Sequence, residues 1–187
     1  ENGEIVCVEN GKLQSLKPFP AKKIRPCVFE YIYFSRPDSL LNGECAYEYR
    51  KRLGVELAKE SSIDTDVVVP VPDSGNAAAI GYSKHSGINF ELGIIRNHYV
   101  GRTFIEPAQK IRSFGVKLKL NANKSSIKNK KIVLVDDSLV RGTTSHKIVS
   151  MLYDAGAKEV HLRIASPEIK FPDFYGVDMP TKKELLA

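Results

Sequence analysis

The sequence predicts an α/β fold with a mainly parallel central sheet flanked by helices, and three observations predict it. Apolar, β-branched runs recur along the chain at 67–72 (VVVPVP), 131–137 (KIVLVDD) and 159–166 (EVHLRIAS). Between them lie helix-forming segments, NAAAIGYSKHSG from 76 and TTSHKIVSMLYDAG from 143. Small polar loops join strand to helix at Asp73-Ser74-Gly75 and again before Thr143.

In chain order, EIVCV-ENGK-LQSL pairs two short runs across an Asn-Gly turn and reads as a small N-terminal β-hairpin. The linker KPFPAKKIRP precedes CVFEYIYF, which is aromatic and rich in β-formers. Within 44–60, Ala46, Tyr49, Leu53 and Leu57 fall at roughly helical spacing. The serines, aspartates and threonine at 61–66 end that helix. VVVPVP is a buried strand and FELGIIR (90–96) the next one. The polar stretch from 97 to about 129 shows no clear periodicity. Loops of that length in a compact domain are usually lids or disordered segments. Here Arg102, Lys110 and Arg112 accompany Tyr99 and Phe104, which favours a lid. KIVLVDD is a strand, the segment from Thr143 a helix with apolar residues at 148, 149, 152 and 155, and EVHLRIAS the last strand. No internal repeat or low-complexity segment interrupts this order.

A chain of 187 residues, 42% hydrophobic and 27% charged, is long enough to bury a substantial core. No run approaches the ~20 apolar residues of a membrane span. The N-terminus has no basic leader or long apolar segment, so no membrane partner and no secretory route are expected. It opens on Glu1, so a processed or excised product is expected. The net charge of +6 gathers in KLKLNANKSSIKNKK (117–131), read as a solvated face or as an electropositive site for a polyanion. Without a helix-turn-helix or an aromatic RNA-binding pattern, no nucleic-acid partner is expected. Cys7, Cys27 and Cys45 are odd in number and lack metal-ligand spacing, which suits free thiols in a reducing cytoplasm. The four histidines show no metal spacing either.

In open parallel sheets ligands bind beyond the carboxyl ends of the strands. After the strand at 131–135, SLVRGTTS supplies a glycine, hydroxyls and backbone amides where a helix begins. Ser138, Arg141, Gly142, Thr143, Thr144 and Ser145 therefore suit a phosphate monoester. The spacing is not that of a Walker loop. Asp136 and Asp137 cannot face that phosphate; their natural partners are sugar hydroxyls or a hydrated divalent cation. A phosphate pocket beside a diol-binding acidic pair points to ribose 5-phosphate. At the other strand end, Ser74 and Gly75 could offer a hydroxyl and amides to a second phosphate group, although Pro-Asp-Ser-Gly is also a common turn.

VLVDDSLVRGTTS resembles the phosphoribosyl pyrophosphate (PRPP) signature of type I phosphoribosyltransferases. FEYIYFSRPDS (29–39), VPVPDSG (69–75), RNHYVGRTFI (96–105) and FYGVDMPT (174–181) together resemble the glutamine PRPP amidotransferases of purine biosynthesis. The resemblance implies the type I phosphoribosyltransferase fold and transfer of ammonia to C1 of PRPP with release of pyrophosphate. It implies that Asp136 and Asp137 contact the ribose and help place Mg²⁺, with Ser74 on the metal side. Arg141 to Ser145 would hold the 5-phosphate, and Asp73, Ser74 and Gly75 the pyrophosphate. A lid at about 96–114 would close over PRPP, with Tyr99 near the ammonia path and Arg102, Lys110 and Arg112 stabilising the departing charge.

The resemblance also divides the chain. Residues 1–22 are similar to the end of a glutaminase domain with its linker, and 23–187 to the phosphoribosyltransferase domain. The family's glutaminase uses an N-terminal cysteine, whereas Cys7 lies inside an apolar strand. Ammonia, not glutamine, is then the expected substrate, and a glutaminase domain or subunit an expected partner. Family members that carry an iron–sulfur cluster use four cysteines. Cys27 stands at the first position, read here as a small buried residue, and Asp173 occupies the second, so no cluster is expected. Purine nucleotide inhibitors and a homo-oligomer are further expectations. Two alternatives share the PRPP loop: a purine salvage phosphoribosyltransferase and a non-catalytic PRPP-sensing regulator.

Overall fold

The computed structural model describes residues 3–97, 119–173 and 181–186. Strands β1 (Ile5–Glu9) and β2 (Lys12–Leu16) pair antiparallel as the expected hairpin. Asn10 and Gly11 both have positive φ, 48° and 73°, as a two-residue turn between twisted strands requires. Every residue of both strands is exposed. Cys7 and Cys27 are exposed as well, so Cys27 is not the buried residue its apolar surroundings suggested. It belongs to a stretch, 17–28, whose residues are all exposed.

CVFEYIYF, for all its β-formers, makes a helical turn over Glu30–Phe34. Its carbonyls find a side-chain donor instead of a neighbouring strand: Arg50 Nε donates to Tyr31 O at 2.8 Å and Arg50 Nη2 to Ser35 O at 2.8 Å. Tyr31 also packs against Tyr49, with the rings tilted 44° and their centroids 4.8 Å apart. Two short strands, β3 (Leu40–Leu41) and β4 (Glu44–Cys45), lead into α1 (Ala46–Glu60).

The buried face of α1 is Ala46, Arg50, Gly54 and Ala58 rather than the predicted row of Tyr49, Leu53 and Leu57. The reason is steric. Helix α2 (Asn76–Ser86) lies so close that a Cβ on Gly54 would stand 1.9 Å from Ala78 O, and one on Gly81 1.9 Å from Lys51 O. Only glycine at these two crossing points permits that approach.

The central sheet has the order β5 (Val67–Pro70), β8 (Lys131–Asp136), β9 (Glu159–Ile164), all parallel. Helix α4 (Thr143–Asp154) covers one face and α1 with α2 the other. Successive side chains of a strand point to opposite faces. Val67, Val69, Ile132 and Leu134 accordingly meet Ile148 and Leu152 of α4, while Val68, Val133 and Val135 meet Ala78, Ala79 and Tyr82 of α2. Side chains of this size contribute about 1.5–3 kcal/mol each when fully buried, enough to make β8 the centre of the fold.

FELGIIR does not form one strand of this sheet. Phe90 makes a single bridge to Val68, and the chain then turns at Gly93, where a Cβ would stand 2.7 Å from Ile127 and 2.8 Å from Val69. Ile94–Arg96 forms β6, paired antiparallel with β7 (Leu120–Ala122). The polar stretch therefore holds a strand and the short helix α3 (Lys124–Ile127), whose Ile127 is fully buried. Most of the predicted lid, with Tyr99, Arg102, Lys110 and Arg112, lies outside the described residues, as does nearly all of FYGVDMPT.

Candidate active site

Strands β5 and β8 run side by side, so the loops at their carboxyl ends share one edge of the sheet. The first loop, Asp73–Gly75, turns directly into α2. Ser74 Oγ donates to Asp136 Oδ1 at 3.2 Å, joining it to the second loop. Gly75 fits because a Cβ there would stand 2.3 Å from Val135 O. Its amide, expected to face a ligand, donates inward to Val71 O at 2.9 Å. The Asp73 carboxylate is ion-paired with Arg96 at the end of β6.

Asp136 and Asp137 are both only 7% exposed. The end of β9 fixes their backbone, with Ala165 N donating to Asp136 O at 3.0 Å and Ser166 N to Asp137 O at 2.8 Å. Asp136 Oδ1 also accepts from Asp137 N at 2.9 Å. Asp137 Oδ2 is buried with no protein partner. Burial, then the adjacent Asp137 carboxylate, pushes the Asp136 carboxyl up to about 8. Two neighbouring carboxylates withdrawn from water do not readily ionise together, so the pair holds a proton or calls for a cation. Arg50 is one nearby positive charge. Burial draws its guanidinium below the usual range, against the favourable charge of Asp137.

From Asp137 the chain runs through Ser138, Leu139 and Val140, all half-buried, to Arg141 and Gly142. Gly142 takes φ of 69° at the N-cap of α4, where no side chain caps the helix. First-turn amides have no intrahelical carbonyl to bond, and the helix dipole favours an anion beside them. Thr143 and Thr144 are exposed at this end, whereas Ser145 is buried. An open cavity of about 600 Å³ is lined by Arg141, Gly142, Thr143, His146, Lys147 and Leu186. Leu186 arrives from the segment 181–186, where its amide donates to Val140 O at 3.0 Å.

The structure thus brings Asp73, Ser74 and Gly75 to the same sheet edge as Asp136 and Asp137, with Ser138 to Ser145 following. His146, Lys147, Leu186 and Arg96 join this edge without having been singled out in sequence. Spacing could have found His146, which lies three residues after Thr143 and so on the same helical face. Arg96 left one signal, the acidic Asp73 in a short loop with no basic residue beside it in sequence.

No protein-family model matches the chain. Among curated proteins, it is 59% identical over 192 residues to the amidophosphoribosyltransferase of Rhizobium etli, covering 100% of this chain and 39% of that protein. Identity to the chloroplastic amidophosphoribosyltransferase 2 of Arabidopsis thaliana is 54%, covering 99% of this chain and 33% of that one. With the enzyme of Methanocaldococcus jannaschii it is 50%, covering 100% of this chain and 43% of the other. A solved structure of glutamine PRPP amidotransferase from B. subtilis, complexed with ADP and GMP, superposes with a TM-score of 0.81 at 49% identity, over 98% of this chain and 40% of that one. The chain spans about two fifths or less of the length of most of these relatives. In sequence and in fold, the whole chain is similar to one segment of the amidophosphoribosyltransferases.

Proposed function

We propose that the chain catalyses transfer of ammonia to C1 of PRPP, giving 5-phosphoribosylamine and pyrophosphate, the first committed step of de novo purine biosynthesis. The observation that carries this reading is the junction of the two loops, with Ser74 bonded to Asp136 where β5 and β8 end. PRPP needs a phosphate cradle, a diol acceptor and a pyrophosphate site within one ribose of each other. In this reading Ser138, Arg141, Gly142, Thr143, Thr144 and Ser145 hold the 5-phosphate. Asp136 and Asp137 accept hydrogen bonds from the ribose hydroxyls, and Asp73, Ser74 and Gly75 border the pyrophosphate.

Mg²⁺ fits the donor set. Asp137 Oδ2 is a buried oxygen without a partner, and Asp136 beside it is charged only at a cost. Among the described residues no group of three or more acidic, histidine or cysteine side chains could hold a metal. Mg²⁺ commonly takes one or two carboxylates and completes its shell with water and substrate oxygens. Bound there, it would neutralise charge on the leaving pyrophosphate. Ser74 and the acidic pair would hold it, and their buried setting keeps the carboxylates from turning away.

The chain supplies no nucleophile of its own in this scheme. Ammonia attacks C1 as the C1–O bond to pyrophosphate breaks, and the ammonium product loses a proton to solvent. The stretch at about 96–114 is read as the lid, with Tyr99 near the ammonia path and Arg102, Lys110 and Arg112 meeting the departing charge. Residues 1–22 are read as the end of a glutaminase unit, leaving 23–187 as the transferase domain. In support, β1 and β2 expose apolar residues such as Val6, Val8 and Leu13 that an isolated hairpin does not cover. A glutaminase domain or subunit, purine nucleotide inhibitors and further copies of the chain are the proposed partners. The cytoplasm is the proposed location. Among the described residues no helix is long and apolar enough to cross a membrane.

The test is pyrophosphate release from PRPP with ammonium and Mg²⁺. Release with ammonium, and none with glutamine as the sole nitrogen source, is expected. Dependence on hypoxanthine or guanine would replace this reading with a salvage enzyme. Tight PRPP binding without turnover would replace it with a sensor.

A further inference from the structure

The loop after β5 carries a charge of the wrong sign for a pyrophosphate. Asp73 opens that loop, and a free carboxylate there would repel the phosphate groups it is meant to border. The structure does not leave it free. Asp73 Oδ2 accepts a hydrogen bond from Arg96 Nη1, pairing the loop with the last residue of β6. The Arg96 side chain remains 34% exposed, and its Nε is buried with no protein partner. A guanidinium carries five N–H donors in a rigid fork suited to two phosphate oxygens at once. The contact to Asp73 sets the plane of that fork, and among the described residues Nε has no partner. Among the described residues, Arg50 gives Nε and Nη2 to Tyr31 O and Ser35 O, and Arg141 belongs to the loop after β8.

We infer that Arg96 is a pyrophosphate-binding residue and that Asp73 is its positioning residue, the pair presenting an oriented guanidinium to the leaving group. Asp73 then acts on PRPP only through Arg96. This inference rests on reading the Asp73–Gly75 loop as the pyrophosphate end of a PRPP site. It adds a residue that the loop motif does not contain.

The test is calorimetric titration of the chain and its variants with PRPP and with ribose 5-phosphate, in Mg²⁺ at one fixed ionic strength. Arg96→Gln should weaken PRPP at least about tenfold, the loss of one charge-assisted contact, and leave ribose 5-phosphate unchanged. Arg96→Lys, which keeps the charge but not the fork, should lose less. Asp73→Asn should weaken PRPP a few-fold through Arg96. Melting temperatures should hardly move, since the pair is partly exposed. Unchanged PRPP affinity in Arg96→Gln would overturn the inference alone. So would equal losses for both ligands, or tighter PRPP binding by Asp73→Asn. A parent chain that bound neither ligand would overturn the PRPP site itself, and this role with it.

Discussion

Ser74 Oγ reaches Asp136 Oδ1 at 3.2 Å although 62 residues separate them in sequence. The contact exists because β5 and β8 are adjacent and parallel, so that both chains end at the same edge. Asp136 Oδ1 thereby receives two donors, Ser74 Oγ and Asp137 N, while Asp137 Oδ2 receives none. Such unequal satisfaction orients the acidic pair, with one oxygen anchored and another buried without a partner among the described residues.

Replacing the pair should therefore separate activity from folding. Asp136→Asn with Asp137→Asn keeps side-chain shape and an acceptor for Ser74 but leaves the pair unable to ionise. Turnover of PRPP should fall by about 10²-fold or more, while far-ultraviolet circular dichroism stays that of the parent. A near-parental rate would show that the pocket lies elsewhere.

Stability should depend on pH in a direction set by Asp136. Its carboxyl titrates near ~4 in an unfolded chain and at about 8 in the fold. Between those values the folded chain holds a proton that the unfolded chain has released. Stability is then full at the acidic end and declines as pH rises through the window. Without divalent cations, the melting temperature should drop between about pH 5 and pH 8. Asp136→Asn should flatten that slope, and added Mg²⁺ should restore stability at the alkaline end. A parent and variant with equal slopes would remove Asp136 as the cause.

The α1–α2 seam makes a purely structural prediction. Gly54→Ala would place a methyl 1.9 Å from Ala78 O, and Gly81→Ala one 1.9 Å from Lys51 O. Backbone cannot yield as a flexible side chain can, so each change should cost roughly 3 kcal/mol, the upper end of overpacking effects. Urea denaturation checks this; a loss under ~1 kcal/mol would mean the helices separate easily.

Arg50→Met should loosen the Glu30–Phe34 turn. It leaves Tyr31 O and Ser35 O without their donor in a partly buried place, worth about 2–3 kcal/mol for bonds to a charged group. Limited proteolysis should show faster cleavage within 27–37 in the variant. Equal cleavage would mean that aromatic packing alone, such as Tyr31 on Tyr49, holds the turn.

The sheet was legible in sequence where burial is complete. Val67–Pro70 and Ile132–Val135 are apolar on both faces because helices cover both, and such runs announce themselves. The loop from Asp136 to Ser145 was legible for a chemical reason, since carboxylates, hydroxyls and a glycine rarely gather at one strand end without a ligand. What escaped had no apolar period. The buried row of α1 runs through Arg50 and Gly54, chosen for close approach rather than for hydrophobicity. Strand β7 is three residues long, too short for alternation to register, and lies in a lysine-rich stretch. Strand β6 falls within the expected strand 90–96 but pairs with β7 instead of the central sheet. The Asp73–Arg96 pair joins residues 23 apart through tertiary folding alone.

The central claim is that PRPP sits where β5 and β8 end, between the acidic pair and the N-terminus of α4. Titration of Mg²⁺ and PRPP into the chain and into the Asp136→Asn, Asp137→Asn double variant tests it most directly. The expected result is saturable binding to one site in the parent, weakened at least about tenfold in the variant by loss of charge-assisted contacts. Equal binding by both proteins, or none by the parent, would contradict it.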